Sequence, residues 1–172
     1  GDGRCRHVPA APDFVPPASH GATVFEAREQ HGLVWVRLQA PSQPLVASLA
    51  DPPAFAPGDD PAWRAVLCGP YELNTSAPRL VENFLDLSHF GFVHEGWLGE
   101  RGHAQVQTGA VEEGEAGLVV RDALAWQPRA YASAQAGAWV AYRYDVPHPF
   151  AAILRKDATE GDPVSNAIAL FI

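Results

Sequence analysis

Side chains that can bind metals or transfer protons are concentrated in one short stretch, residues 82–94. They are Glu82, Asn83, Asp86, His89 and His94. Nothing else in the sequence has this density of ligand-type side chains. Neutral imidazoles are good ligands for Fe(II), and two histidines with one carboxylate leave coordination positions open for O₂ and a substrate. The stretch therefore suggests a mononuclear metal site.

The spacing of the two histidines constrains the backbone between them. His89 and His94 are five positions apart, about 140° around an α-helix, so an unbroken helix could not direct both at one ion. Either the helix ends there, or it widens into a π-turn that aligns positions five apart. Gly91 is the position where such a distortion costs least. Asp86 is placed to accept the free ring N–H of a ligating imidazole, and we expect the two imidazoles to converge on one point.

Three other interpretations of the stretch stay open. In the first, the histidines cap a helix end and Asp86 is solvated. The apolar neighbours weigh against this interpretation, because unpaired polar groups amid apolar surface are costly. These neighbours are Phe84, Leu85, Phe90, Phe92 and Val93. The second is a small-molecule-binding module without metal. The third is a structural Zn²⁺ site, which is weakened by the lack of cysteines near His89.

The elements around the stretch indicate an α+β fold, an antiparallel sheet with few helices. Pro78 suits the first turn of a helix, predicted over about 78–90 with an apolar side and a polar side. A strand is predicted before it, at 64–75. Five strand-like runs with turn signals between them follow, at residues 104–113, 117–127, 138–146, 151–156 and 166–172.

The N-terminal part reads as a separate region. Residues 22–28 and 32–38 are rich in β-forming side chains and predict a hairpin with Gly32 at its turn. Residues 41–62 are rich in Pro, Ala, Asp and Gly, a composition that disfavours regular structure and predicts a linker. The predicted organisation is therefore 1–40, 41–62 and 63–172.

Composition narrows the class of protein. The chain has 172 residues, 47% of them hydrophobic, and a net charge of −8, so nucleic acids and anionic membranes are poor candidate partners. No apolar run approaches the roughly 20 residues that span a bilayer, which favours the cytoplasm. Cys5 and Cys68 belong to no metal-type pair and are expected to be buried or partly buried thiols. Because the sequence lacks Met and stops inside an apolar run, we expect both ends to be cut.

The run ENFLDLSHFGFVH, residues 82–94, resembles the mononuclear-iron motif D-x-x-H-x-x-x-x-H of the catalytic α subunits of Rieske-type non-haem iron oxygenases. GDGRC at residues 1–5 and GLVWVRL at 32–38 resemble the last part of a Rieske domain. The resemblance implies the tail of an all-β Rieske domain over 1–40, then part of a helix-grip (START-like) catalytic domain. It makes His89 and His94 iron ligands, gives Asp86 a link to the Rieske cluster of a neighbouring subunit, and places Glu82 or Asn83 near the metal.

The same resemblance implies the chemistry of the whole protein. Electrons pass from a reductase or ferredoxin through a Rieske [2Fe–2S] cluster, whose ligands are absent from this sequence, to Fe(II). O₂ is then used to hydroxylate or demethylate an aromatic compound, with the monooxygenase and O-demethylase members as the nearer relatives and a homotrimer as the assembly.

The third iron ligand of the family is a carboxylate far downstream of the histidines. Five carboxylates downstream of the histidines could supply this ligand: Asp122, Asp145, Asp157, Glu160 and Asp162. Their sequence context favours surface or turn positions instead. We expect the ligand beyond Ile172, and residues 1–172 alone to be inactive and to hold Fe(II) poorly.

The remaining histidines and aromatic residues have more ordinary interpretations. A structural or solvent-facing role is expected for the histidines outside the motif, which are His7, His20, His31, His103 and His148. Several aromatic residues could line a pocket for an aromatic substrate. These residues are Trp97, Trp126, Trp139, Tyr142 and Tyr144. Core packing is the commoner role of aromatic residues in strands.

Overall fold

Two compact units, residues 1–45 and 46–172, make up the chain. The computed structural model describes residues 1–38, 51–131, 134–157 and 165–172. The boundary between the units lies in the predicted linker, of which residues 41–50 fall outside the described ranges. That the first unit is the end of a Rieske domain stays a prediction. No described helix has the length and apolar character needed to cross a bilayer.

The first unit contains the predicted hairpin. Strands β1 (Glu26–Gln30) and β2 (Leu33–Arg37) pair antiparallel. His31 and Gly32 join them with φ angles of 57° and 73°, the left-handed conformations of a two-residue type I′ turn. The first strand begins at Glu26 and not at residue 22, because β2 ends at Arg37, the residue opposite Glu26. The two side chains form an ion pair at this open end.

The second unit is built on a five-stranded antiparallel sheet in which each strand pairs with its neighbours in sequence. Its strands are β3 (Ala110–Gly114), β4 (Gly117–Gln127), β5 (Ala138–His148), β6 (Ala151–Lys156) and β7 (Asn166–Phe171). With few helices beside it, the sheet confirms the α+β prediction.

The strand predicted over 104–113 is wrong in its first part. Before Ala110 the chain pairs with β4 only through an isolated bridge between Gln107 and Leu124. A β-bulge interrupts the pairing of β4 with β5 between Val120 and Ala123. Such a bulge also disrupts the hydrogen-bond ladder on the other side of the strand. The strand β3 therefore begins only at Ala110.

The helices are short. They are α1 (Ala56–Asp59), α2 (Ala77–Leu85) and α3 (Phe90–Val93), with a 3₁₀ turn at Arg101–His103. The single turn α1 lies inside the predicted linker, so the prediction of no regular structure there was wrong. Proline is tolerated in a first helical turn because that N–H has no intrahelical partner, and Pro57 occupies such a position.

The strand predicted over 64–75 was also wrong. The residues form no strand, and the apolar side chains of Val66, Leu67, Tyr71 and Leu73 are exposed. β-forming side chains alone do not make a strand, because its backbone groups need a partner strand. Within the described residues, this segment has none.

One face of the sheet carries the core. Buried side chains of β4 and β5 pack with Leu87 and Phe90, which lie around the start of α3. The sheet residues of this cluster are Ala123, Ala125, Val140, Tyr142 and Tyr144. This packing anchors the 86–94 stretch to the sheet.

Candidate metal centre

The helix that carries Asp86 ends just before it. α2 stops at Leu85, and Asp86 takes extended angles, φ −76° and ψ 114°. Its Oδ1 accepts the backbone N–H of Ser88 at 2.7 Å, a local bond by which Asp competes with helix continuation. The helix predicted to reach residue 90 is therefore shorter. Neither predicted distortion, a helix end or a π-turn between the two histidines, is present: the helix ends before Asp86, and a separate α-helical turn follows His89.

The two histidines flank the next helix. His89 precedes α3 and His94 follows it. Within this turn the N–H of Val93 donates to His89 O at 2.7 Å, and the N–H of His94 donates to Phe90 O at 3.2 Å. The imidazole ring centres are 5.1 Å apart, with ring planes at 60°. Rings that share one ion at metal–nitrogen distances of about 2.0–2.1 Å have centres at this kind of separation. That the nitrogens of the two rings converge on one point stays a prediction.

Asp86 fixes the ring of His89. The Asp86 Oδ2 and His89 Nδ1 atoms are 3.3 Å apart. With the proton on Nδ1 donated to the carboxylate, Nε2 keeps its lone pair for a metal. Burial raises the pKa of Asp86, but hydrogen bonds from Ser88 and His89 outweigh it, and the pKa lies below the ordinary 3.8. The carboxylate is therefore ionised at neutral pH.

Phe90 supports both imidazoles. Its ring lies edge-on to His89 at 5.1 Å and to His94 at 6.0 Å, and also contacts Tyr142 of β5 at 6.0 Å. Phe90 is only 9% exposed. From the sequence, Phe90 had no predicted role beyond its apolar character. Its position directly after His89 was the signal that could have identified it.

The two polar residues of α2 that were predicted near the metal lie on the exposed surface of the helix. Asn83 is exposed, and the Glu82 carboxylate pairs with Arg79 at 2.5 Å on the exposed surface of the helix. Glu82 and Asp86 do line one open groove, of about 590 Å³. A role near the metal for Glu82 or Asn83 stays a prediction.

The predicted carboxylate candidates that the structure describes, Asp122, Asp145 and Asp157, do not join the histidines. Asp145 pairs with Arg143 at 2.7 Å and with Arg155 at 3.7 Å. Asp122 and Asp157 are exposed, and Glu160 and Asp162 lie outside the described residues. Within the described ranges, no three His, Cys, Asp or Glu side chains are grouped so that they could hold a metal.

The aromatic residues divide between core and surface. Tyr142 and Tyr144 are buried, as the core interpretation predicted, whereas Trp97 and Trp139 are 65% and 44% exposed. The core interpretation is wrong for these two tryptophans, because Trp97 lies in an exposed turn and Trp139 on the outer face of β5. Trp139 and Tyr142 line an open cleft of about 660 Å³. A substrate role for this cleft stays a prediction.

The other histidines and the cysteines are engaged differently. His103 stacks on Trp126 at 4.7 Å, and His20 packs on Phe14 at 5.6 Å. Cys5 is partly buried, as expected. The expectation of burial is wrong for Cys68, which is exposed because the segment around it forms no strand.

The donor set fits a metal in part. Two imidazoles lie side by side, and a carboxylate orients one of them through Nδ1. Nitrogen donors of this kind suit Fe(II), and a carboxylate bonded to a ligating histidine is the usual supporting arrangement. Among the described residues, no carboxylate forms a three-residue metal-binding group with the two histidines.

Comparison with known proteins identifies the family. Residues 73–167, more than half of the chain, match the vanillate O-demethylase oxygenase C-terminal domain. Methylxanthine N1-demethylase NdmA of Pseudomonas putida is 35% identical over 60% of this chain and 28% of its own length. The probable methylxanthine N7-demethylase NdmC of Pseudomonas sp. (strain TJI-51) is 33% identical over 83% of this chain and 49% of its own length.

Solved structures agree. NdmA of Pseudomonas putida CBB5 with caffeine superposes with a TM-score of 0.70 at 28% identity, covering 90% of this chain and 43% of that chain. The chain thus spans half or less of the length of these relatives. On the domain match, the relatives and the shared fold, the chain belongs to the Rieske non-haem iron oxygenases, as part of a catalytic subunit with a vanillate O-demethylase-type C-terminal domain.

Proposed function

We propose that the protein containing this chain catalyses O₂-dependent oxidative demethylation, or hydroxylation, of an aromatic compound. The observation that carries the proposal is the pair of adjacent imidazoles, His89 and His94, with Asp86 bonded to His89. The N- and O-demethylases among the relatives support a methyl group on nitrogen or oxygen as the point of reaction.

In this proposal His89 and His94 hold a mononuclear Fe(II), with a carboxylate as the third ligand. Fe(II) bound there would supply the activation of O₂ and the oxidation of the substrate. Asp86 keeps the proton of His89 on Nδ1 and leaves Nε2 as the donor atom. Phe90 contacts both imidazole rings and packs on Tyr142 of β5, so it links the two proposed ligands to the sheet.

The whole protein requires partners that this chain does not contain. We propose a reductase or ferredoxin as electron donor and a Rieske [2Fe–2S] cluster as carrier, in a cytoplasmic homotrimer. For a demethylation, a methylated substrate, O₂, two electrons and two protons give the demethylated product, formaldehyde and water. Electrons would arrive near Asp86, whose ionised carboxylate lies at the open groove beside α2.

The experiment is a turnover assay with the full-length protein. Purified protein, an NADH-dependent Rieske-type reductase and O₂ are incubated with a panel of N-methyl and O-methyl aromatics, and formaldehyde and demethylated product are quantified together. We expect both in equal amounts for at least one compound. Hydroxylated product without formaldehyde would support the hydroxylation branch, and O₂ uptake with no organic product from any compound would contradict the proposal.

A matched pair of variants connects the activity to the site. His89→Ala should abolish product formation, whereas His103→Ala, which removes an exposed histidine of the same unit, should leave it close to wild type. Equal activity of the two variants would remove His89 from the mechanism.

A further inference from the structure

The turn that carries the two histidines is in close backbone contact with the loop that follows it, residues 95–99. The N–H groups of Trp97 and Leu98 donate to His94 O at 3.1 and 3.0 Å, and the N–H of Gly96 donates to Gly99 O at 2.8 Å. The 95–99 loop therefore starts from the backbone of His94 and closes on itself at Gly99.

At Gly99 the loop meets the first residues of α3. A Cβ on Gly99 would lie 2.6 Å from Gly91 N and 2.6 Å from the Phe90 carbonyl carbon. Gly91 and Gly99 are both buried. The atoms in the way are backbone atoms, which cannot rotate aside, so any side chain at position 99 must displace either the loop or the Phe90–Gly91 peptide.

Displacing that peptide would move both imidazoles. Phe90 O accepts the N–H of His94, and the Phe90 ring contacts both histidine rings. Ligands must be held within about 0.5 Å of a productive geometry to bind a metal well. A displacement of the backbone at Gly99 would therefore shift both proposed ligands, His89 and His94, together.

We propose that Gly99 is a positioning residue of the metal centre. Its missing side chain lets the 95–99 loop press against Phe90 and Gly91, and this contact holds His89 and His94 at the spacing that binds Fe(II). The inference rests on the proposed function, because it takes these histidines as ligands.

Three glycines of the same region allow a graded test. Gly99 is not among the described glycines with φ in the left-handed region, so Gly99→Ala adds a steric conflict without backbone strain. Gly102 is exposed, and a Cβ there meets nothing within 4 Å, which makes Gly102→Ala the matched control. Gly91→Ala is intermediate, since its Cβ would lie 3.0 Å from Glu100 O and 3.3 Å from Ala104 Cβ.

The experiment uses the full-length protein and reads out metal binding, not turnover. Each variant is loaded with Fe(II) anaerobically, and the rate of iron removal by a chelator is measured. The visible spectrum of the Co(II)-substituted protein reports the ligand geometry, and thermal unfolding of the metal-free protein reports stability. We expect Gly99→Ala to release iron about 10–100-fold faster than Gly102→Ala, the range for residues that orient ligands, with a changed Co(II) spectrum.

Each outcome decides the inference. Iron release and Co(II) spectra that are the same in the Gly99→Ala and Gly102→Ala proteins would overturn it. If Gly99→Ala does not fold, Gly91→Ala must release iron at least about 3-fold faster than Gly102→Ala, and an unchanged rate would overturn it. His89→Ala is the separate check on the proposed function: retention of iron in that variant would refute the ligand assignment, whatever the glycine variants do.

Discussion

Two described parts of the second unit, the sheet and the break between α2 and α3, differ in the partners of their polar side chains. In the sheet, Gln127 donates to the hydroxyl of Tyr142, and Arg143 forms a close ion pair with Asp145. At the break between α2 and α3, Asp86 is bonded to Ser88 and His89, but the contacts of the His94 ring are to aromatic rings.

The contrast is the basis for the proposal that the polar residues of the sheet are structural and those of the helix break are functional. Polar pairs that satisfy each other can stabilise a fold without any ligand. Imidazole nitrogens that are oriented but keep their lone pairs are available to bind one. We therefore propose that the chemistry takes place at the helix break and that the polar pairs of the sheet only stabilise the fold. The predictions that follow test this division.

Among substitutions that leave both proposed histidine ligands in place, the largest effect on turnover is expected at Asp86. In the full-length protein, Asp86→Asn should lower turnover about 10–100-fold, the usual range for partners of ligating histidines, while iron occupancy stays largely in place. Glu113→Gln makes the same change of charge on an exposed position of β3 and should leave both quantities near wild type. Loss of iron in parallel with activity would argue that Asp86 is itself a ligand or is only structural.

Two tyrosines of β5 test the structural side of the comparison. The Tyr142 hydroxyl accepts from buried Gln127, so Tyr142→Phe should lower the free energy of unfolding by about 1–3 kcal/mol, the cost of a buried polar group left unpaired. The Tyr144 hydroxyl is buried and has no hydrogen-bond partner among the described residues. Tyr144→Phe should therefore be neutral or stabilising.

Denaturant unfolding of the two tyrosine variants measures the difference. Equal destabilisation would mean that the Tyr144 hydroxyl has a partner that matters for stability. Iron binding should be unaffected in both variants, since neither tyrosine is a proposed ligand.

A smaller effect is expected at His148, whose Nδ1 accepts the N–H of Phe150 at 3.1 Å. Burial lowers the pKa of His148 below its ordinary 6.5. At pH values between the folded-state and unfolded-state pKa, the unfolded chain therefore binds a proton that the folded chain does not. Its contribution to stability is therefore complete above about pH 6.5 and is lost as the pH falls toward the folded-state pKa. His148→Asn keeps an acceptor without the titration and should reduce the loss of stability between pH 7.5 and 5.5. An unchanged pH dependence would contradict this assignment.

The sheet was more predictable from the sequence than the site. Alternation of buried and exposed residues in β5 and the His31–Gly32 turn are local patterns, and the structure contains both. The early end of α2 was missed because the periodicity of its apolar side continues past Leu85, while the backbone follows the bond between Asp86 and Ser88.

Other features of the site needed the fold. The strand predicted at 64–75 failed because strand formation depends on a partner and not on composition alone. The contact between Gly99 and Gly91 is invisible in sequence, because a glycine there looks like any turn residue until its neighbours are placed. The spacing of His89 and His94, in contrast, led to a wrong prediction for the backbone between them: a single α-helical turn, α3, joins the two residues.

The most direct test of the central claim is iron stoichiometry. Full-length wild type, His89→Ala, His94→Ala and His103→Ala proteins are reconstituted with Fe(II) under anaerobic conditions, freed of loose metal, and analysed for iron at the mononuclear site after subtraction of the Rieske iron. Wild type and His103→Ala should bind about one Fe(II) per chain, and each of the other two variants only a small fraction of that, because a ligand is lost from a site with few protein donors. Full iron occupancy in either the His89→Ala or the His94→Ala protein would contradict the assignment of that histidine as a ligand.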